Sequence, residues 1–297
     1  MCDQDSFNDM IEHLKRDDAL TRRRFGALSM GAGLLAALPR TANAAEVVER
    51  EVEIKTSDGT ADAHFVHPAK GKAPAVLVWT DIFGLRPAFR QMGRRLAESG
   101  YAVLTPNPFY RTKHAPTTAP GASLQDEATR NAVMALARTL TPETHVSDAQ
   151  AFIGWLDGQA SVDAKRKMGT TGYCMGGPIV MRTAASFPER VGAGGSFHGG
   201  GLVTDTPNSP HLLIPKTRAR FYLGIASNDD QRQPDAKDKL RDAFKKAGRS
   251  ADMKVYKSLH GWCVPDMPAD ANGPIYNQAE AEEAWGKLMA LYKTALG

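Results

Sequence analysis

The residues with the clearest chemical potential lie in Gly169-Thr-Thr-Gly-Tyr-Cys174-Met-Gly-Gly177. The pattern Gly-x-Cys-x-Gly has the form of a nucleophile elbow, with a thiol where most such elbows carry a hydroxyl. In an elbow a strand turns into a helix so tightly that the residues two before and two after the nucleophile, here Gly172 and Gly176, must lack side chains. The thiol is thereby raised above a sheet at the N-terminus of a helix. The positive end of that helix favours thiolate over thiol, and the backbone amide of Met175 points to where an oxyanion would form.

Such a cysteine needs a base to pass its proton and a carboxylate to fix the tautomer of the base. Where the elbow crowns a parallel sheet, these partners follow it in the order acid, then histidine, each in the loop after a strand. Phe221-Tyr-Leu-Gly-Ile-Ala226 reads as a strand that runs into Ser-Asn-Asp229-Asp230, and Lys254-Val-Tyr-Lys-Ser-Leu259 as one that runs into His260-Gly261. The two gaps, 55 residues from Cys174 to Asp229 and 31 more to His260, leave room for the strand and helix units in between.

Positioning these groups falls to alternating strands and helices, the pattern of a mostly parallel sheet with helices on both faces. Segments 47–55 and 60–67 alternate apolar and polar residues like an antiparallel edge, whereas Ala75-Val-Leu-Val-Trp79 is a continuous apolar run suited to a central strand. Helical periodicity over 89–100 precedes a strand at 101–105 that Pro106 and Pro108 end. After a polar loop at 111–125, helices are expected at about 126–139 and 146–158, then the elbow strand at 167–173 and its helix at 177–187. The remaining strands are expected at 191–197, 219–226 and 253–258, with helices at about 235–247 and 278–295. No internal repeat or linker interrupts the series, so residues 45–297 are read as one α/β domain.

The first 44 residues read differently. Thr21-Arg-Arg-Arg-Phe25, a modestly apolar run from Gly26 to Leu38 and the small-x-small tripeptide Ala42-Asn-Ala44 form a twin-arginine export signal, with Arg22 and Arg23 as the pair and cleavage after Ala44. The expected location is the periplasm, reached through the twin-arginine translocase. The apolar run is shorter than the roughly 20 residues a membrane span needs. Cleavage would remove Cys2 and leave Cys174 and Cys263, which excludes a disulfide framework. The formal net charge is +4, and the basic residues interleave with acids, as in Asp235-Ala-Lys-Asp-Lys-Leu-Arg-Asp242, so nucleic-acid binding gains no support. No Cys-x-x-Cys or His-x-x-x-His spacing suggests a metal, and no cofactor is called for.

Taken together, Asp81-Ile-Phe-Gly-Leu85, the Cys174 elbow, the Asp229 loop and His260-Gly-Trp262 resemble the dienelactone hydrolase family over most of residues 50–295. The resemblance implies an α/β-hydrolase fold and a Cys-Asp-His triad acting on enol-lactones or similar esters. In it Cys174 is the nucleophile, His260 the base, and the amides of Ile82 and Met175 form the oxyanion hole. Asp81 stands where the family keeps a glutamate beside the resting thiol, and Arg111 where its founding enzymes hold a substrate carboxylate. Trp262 follows the base and is counted, with Asp81 and Arg111, among the substrate-binding residues. Asp229 lies at the family's usual distance from Gly224, while Asp230, four residues before Pro234, is the alternative acid.

Three departures qualify the likeness. Asp81 is one methylene shorter than glutamate; Val264 replaces an expected second arginine; and Cys263 could bring a second sulfur near Cys174. His198-Gly-Gly-Gly201 mimics an oxyanion loop but follows the nucleophile, so it reads as a strand-end loop that could line the pocket through His198. Trp79, Phe83, Phe109, Tyr110 and Trp262 are candidates for an apolar substrate wall. The expected activity is hydrolysis of a carboxylic ester or lactone. The alternatives are a broad thioester or aryl-ester hydrolase, and a non-catalytic binding or redox protein using Cys174 and Cys263 as a reversible pair.

Overall fold

The computed structural model describes residues 38–39, 44–270 and 273–297. Apart from Leu38, Pro39 and Ala44, the expected export signal lies outside these residues. Among them, no helix is long and apolar enough to cross a membrane.

Eight strands form one sheet. A hairpin of β1 (Val47–Thr56) and β2 (Gly59–Pro68) makes the antiparallel edge. Then come β4 (Ala102–Pro106), antiparallel to β2, and β3 (Ala75–Trp79), β5 (Met168–Tyr173), β6 (Val191–Phe197), β7 (Arg220–Ile225) and β8 (Ala251–Val255), which run parallel to β4. The central strand β3 is buried at every position, as its unbroken apolar run requires of a strand covered on both faces.

Alternation along β3 shows the two layers. Val76 and Val78 enter one apolar cluster with α1 (Pro87–Glu98) and α7 (Gln278–Leu296). Leu77 and Trp79 enter another with α3 (Pro142–Asp157), α4 (Gly176–Ser186) and α6 (Ala236–Lys246). A third, smaller cluster gathers Ile82, Phe83, Phe109, Cys174 and Met175 against Val133 and Met134 of α2 (Glu127–Ala137). The elbow thus borders an apolar wall, not only the sheet edge.

Element boundaries shifted where capping or register outweighed periodicity. Helix α3 starts at Pro142 rather than 146 because Thr141 caps it, trading side-chain and backbone hydrogen bonds with Thr144, and proline suits the first turn. Strand β8 ends at Val255, not Ser258, since its register partner Ile225 closes β7. The remaining residues, 256–259, lead to His260. The short helix α5 (Ser227–Arg232), which carries Asp229, and a 3-10 turn at Pro210–Lys216 were not expected from the sequence.

Candidate active site

Strand β5 enters α4 through Cys174, whose φ of 53° lies in the left-handed region that residues with a Cβ rarely adopt. The glycine requirement is met sterically: a Cβ on Gly172 would come 2.3 Å from the Gly176 carbonyl oxygen, and one on Gly176 would come 2.6 Å from that of Trp79. The turn is pinned by hydrogen bonds. The Cys174 amide donates to Phe197 O at 3.0 Å, while the amides of Gly177 and Gly200 donate to Cys174 O at 3.1 and 3.4 Å. These contacts pin the strained turn at Cys174 and fold the loop after β6 over it.

His260 is held from two sides. Its Nδ1 hydrogen-bonds Asp229 Oδ2 at 2.7 Å, and its backbone amide donates to Asn228 Oδ1 at 2.9 Å. The Ser227 amide donates to Ser258 O at 3.0 Å, which ties α5 to the histidine loop. Asp229 also accepts from Arg232. Asp230, the alternative acid, instead pairs with Lys237 Nζ at 2.6 Å, so the histidine's partner is Asp229. With Nδ1 engaged, Nε2 is the ring atom left for chemistry, and among the described residues it has no hydrogen-bond partner.

The Cys174 sulfur and one ring nitrogen each from His198 and His260 lie within 4.8 Å of one another. Burial alone would lower the pKa of His260. The charge of Asp229 and the neighbouring Cys174 sulfur outweigh that cost, and the imidazole pKa is raised well above its ordinary value. The site therefore favours imidazolium beside the sulfur.

Ile82 and Met175 share the apolar cluster of Cys174. Among the described residues neither backbone amide donates to a protein acceptor, which leaves two N–H groups for an oxyanion.

Asp81 is committed elsewhere. Its Oδ1 accepts the Phe83 amide at 2.9 Å, and its two oxygens take Nη1 and Nη2 of Arg86 at 2.6 and 2.9 Å. Arg86 also grips Asp266, through Nε and Nη2, each at 2.8 Å. Through Arg86, Asp81 helps clasp the Ile82 loop to the segment after His260. Sequence reasoning missed Arg86; its signal was a basic residue five positions after Asp81 within one loop.

The clasp yields a stability prediction. Arg86→Met leaves two carboxylates short of their partner, with Asp81 1% exposed, and should cost about 3–5 kcal/mol, read from the chemical denaturation midpoint. Adding Asp81→Asn should recover part of that loss. A single variant as stable as the parent would show that the clasp is not holding the loops.

Arg111 likewise has no free fork. It donates to Asp58 Oδ2 through Nε at 2.8 Å and Nη2 at 2.6 Å, and to Asp148 through Nη1 at 2.9 Å and Nη2 at 2.6 Å. Its guanidinium lies over the Tyr110 ring, and Tyr110 itself donates to Asp148 at 2.8 Å. These contacts tie the β1–β2 turn to α3. Trp262 is fully buried and packs against Tyr256 and His198, forming a wall behind the histidines. Of the candidate aromatics, Phe83 and Phe109 join the Cys174 cluster, while Trp79 and Tyr110 pack with the face covered by α3.

Cys263 is a free thiol, as is Cys174, but it belongs to the cluster under α1 and α7. Burial pushes its pKa well up. His198 was flagged in the sequence as a pocket residue, and the structure brings its ring to 4.6 Å from that of His260, centroid to centroid.

A parallel sheet covered on both faces, with an elbow after its fifth strand and an acid and a histidine after its seventh and eighth, defines an α/β-hydrolase. The sequence pattern of the dienelactone hydrolase family matches residues 61–296, and the chain belongs to that family. Carboxymethylenebutenolidase of Rhodococcus opacus is 25% identical over 82% of this chain and 91% of its own length. The enzyme of the same name from Pseudomonas putida is 30% identical over 58% of this chain and 69% of its own. A dienelactone hydrolase-like promiscuous phosphotriesterase from metagenomic libraries superposes with a TM-score of 0.67 at 20% identity, covering 84% of this chain and 99% of its own. The chain is a hydrolase of ester or lactone bonds.

Proposed function

We propose that the hydrolysis runs through a thioester on Cys174, with His260 and Asp229 completing the triad. The observation that carries this reading is the 2.7 Å bond from His260 Nδ1 to Asp229, which turns Nε2 toward the elbow sulfur. The sulfur attacks the acyl carbon while the carbonyl oxygen takes negative charge from the breaking π bond and is held by the Ile82 and Met175 amides. As the oxyanion collapses, the acyl–oxygen bond to the leaving group breaks and His260 gives that oxygen its proton. In the second half, His260 takes a proton from water as the hydroxide adds to the thioester, and Cys174 departs as the acid product forms.

The apolar wall of Phe83, Phe109, Val133 and Met134 beside the sulfur supports a substrate with an uncharged, apolar acyl group. A dicarboxylate finds less support, because Arg111 is engaged by Asp58 and Asp148 and Val264 carries no charge. The packing of Cys263 in a different cluster from Cys174 likewise speaks against the redox-pair alternative. The proposed location, the periplasm reached by twin-arginine export, rests on Arg22, Arg23 and Ala42-Asn-Ala44 alone.

The test is a panel of neutral and anionic esters, thioesters and lactones, assayed with the parent and Arg111→Ala. Neutral aryl esters should give a burst of leaving group, a mass adduct on Cys174 and the higher kcat/KM. Arg111→Ala should lower stability while changing KM equally for charged and neutral substrates. An adduct elsewhere would remove Cys174 as nucleophile, and a KM increase confined to anionic substrates would restore Arg111 as a carboxylate grip.

A further inference from the structure

His198 is the one histidine at the elbow that the hydrolytic steps leave unused. It follows β6 with a φ of 40°, is 1% exposed, and neither of its ring nitrogens has a hydrogen-bond partner among the described residues. A buried imidazole without partners forfeits the hydrogen bonds it would make with water, and the left-handed backbone adds strain. Both costs are borne to place a ring beside the nucleophile and the base.

We infer that Cys174 Sγ, His198 and His260 Nε2 form a binding site for a divalent zinc-class ion, whose occupancy switches the hydrolase off. One thiolate and two imidazoles are donor types that zinc takes, and a water would fill the fourth tetrahedral position. With zinc–sulfur and zinc–nitrogen bonds of about 2.3 and 2.0–2.1 Å, tetrahedral ligand atoms stand roughly 3.3–3.6 Å apart. The present separations, all within 4.8 Å, need side-chain shifts on the order of 1 Å.

The supporting shell is already in place. Asp229 holds His260 by Nδ1, the carboxylate–histidine arrangement that orients a ligating imidazole and strengthens it as a donor. Among the described residues both ring nitrogens of His198 are without a hydrogen-bond partner, so the imidazole can turn a lone pair toward the ion. On binding, the proton held by either the Cys174 sulfur or His260 Nε2 leaves to solvent and no redox change occurs. Inhibition rests on the proposed roles of Cys174 and His260, because the metal–sulfur and metal–nitrogen bonds occupy the nucleophile's lone pair and that of the base together; the metal site itself stands on the geometry alone.

The experiment uses untagged, reduced protein titrated with Zn²⁺ in competition with a chromophoric chelator, and with Co²⁺ as a spectroscopic probe. The expected result is one ion per chain, a cobalt–thiolate charge-transfer band, and ester turnover that stops in proportion to occupancy and returns with EDTA. His198→Phe fills the same space without ligand atoms and should weaken Zn²⁺ binding by about 100-fold, at least as much as losing an outer-shell partner costs. His198→Gln gives a second variant if phenylalanine does not fit. Absence of the charge-transfer band in the parent overturns the inference whatever the variants do. So does unchanged Zn²⁺ affinity in a folded His198 variant.

Discussion

Replacing Cys174 by alanine should lower ester kcat/KM by at least about 10⁴-fold, because removal of a covalent nucleophile leaves only the contribution of binding and the oxyanion hole. The fold should survive. Alanine tolerates the backbone about as well as cysteine does, and the loss of one sulfur from a small cluster should cost roughly 1 kcal/mol. Thermal melting beside the ester assay separates the two effects: an inactive variant that still melts cooperatively near the parent's temperature supports the nucleophile. A folded variant retaining most of its activity would sink the mechanism. Cys174→Ser should also be poor, since a serine hydroxyl is a weaker nucleophile unless a base arrangement tuned to it removes the proton.

The second large effect separates the two adjacent aspartates. Asp229→Asn should cut kcat by about 10⁴-fold, the loss seen when an amide replaces the triad acid of a serine protease and stabilises the wrong histidine tautomer. Asp230→Asn should remain within a few-fold of the parent, because Asp230 pairs with Lys237 outside the histidine's reach. The reverse ranking would transfer the role to Asp230.

A titration gives an independent readout. The charge of Asp229 raises the pKa of His260 in the folded protein, so its contribution to stability is fully present below the unfolded value of about 6.5 and is lost as pH rises through the folded value. In Asp229→Asn the imidazole should titrate at lower pH by NMR, and that pH-dependent share of stability should disappear.

Much of the fold was legible because its signals are local. The apolar run of β3, the alternation in β1 and β2 and the glycines flanking Cys174 each express one steric or burial rule within a few residues. Boundaries slipped where a cap or a partner strand decided them, as at Thr141 and Val255. The helix that carries Asp229 was missed because six polar residues, Ser227–Arg232, bury no side chain and show no periodicity.

Side-chain commitments were least legible. Arg111 and Asp81 have suitable types for gripping a substrate, but Arg111 is held by Asp148 and the Arg86 that takes Asp81 is shared with Asp266, both far away in sequence, and only folding shows that the charges are already engaged. The choice of Asp229 over Asp230 turned on which carboxylate the helix directs at His260. By itself the sequence determined the nucleophile candidate, the order of its partners and the layered α/β sheet, because each is written in contiguous residues. The tertiary structure alone decided which acid meets the histidine, that Arg86 clasps two loops, and that His198 stands unpaired beside Cys174, because each depends on distances between segments that the chain order does not encode.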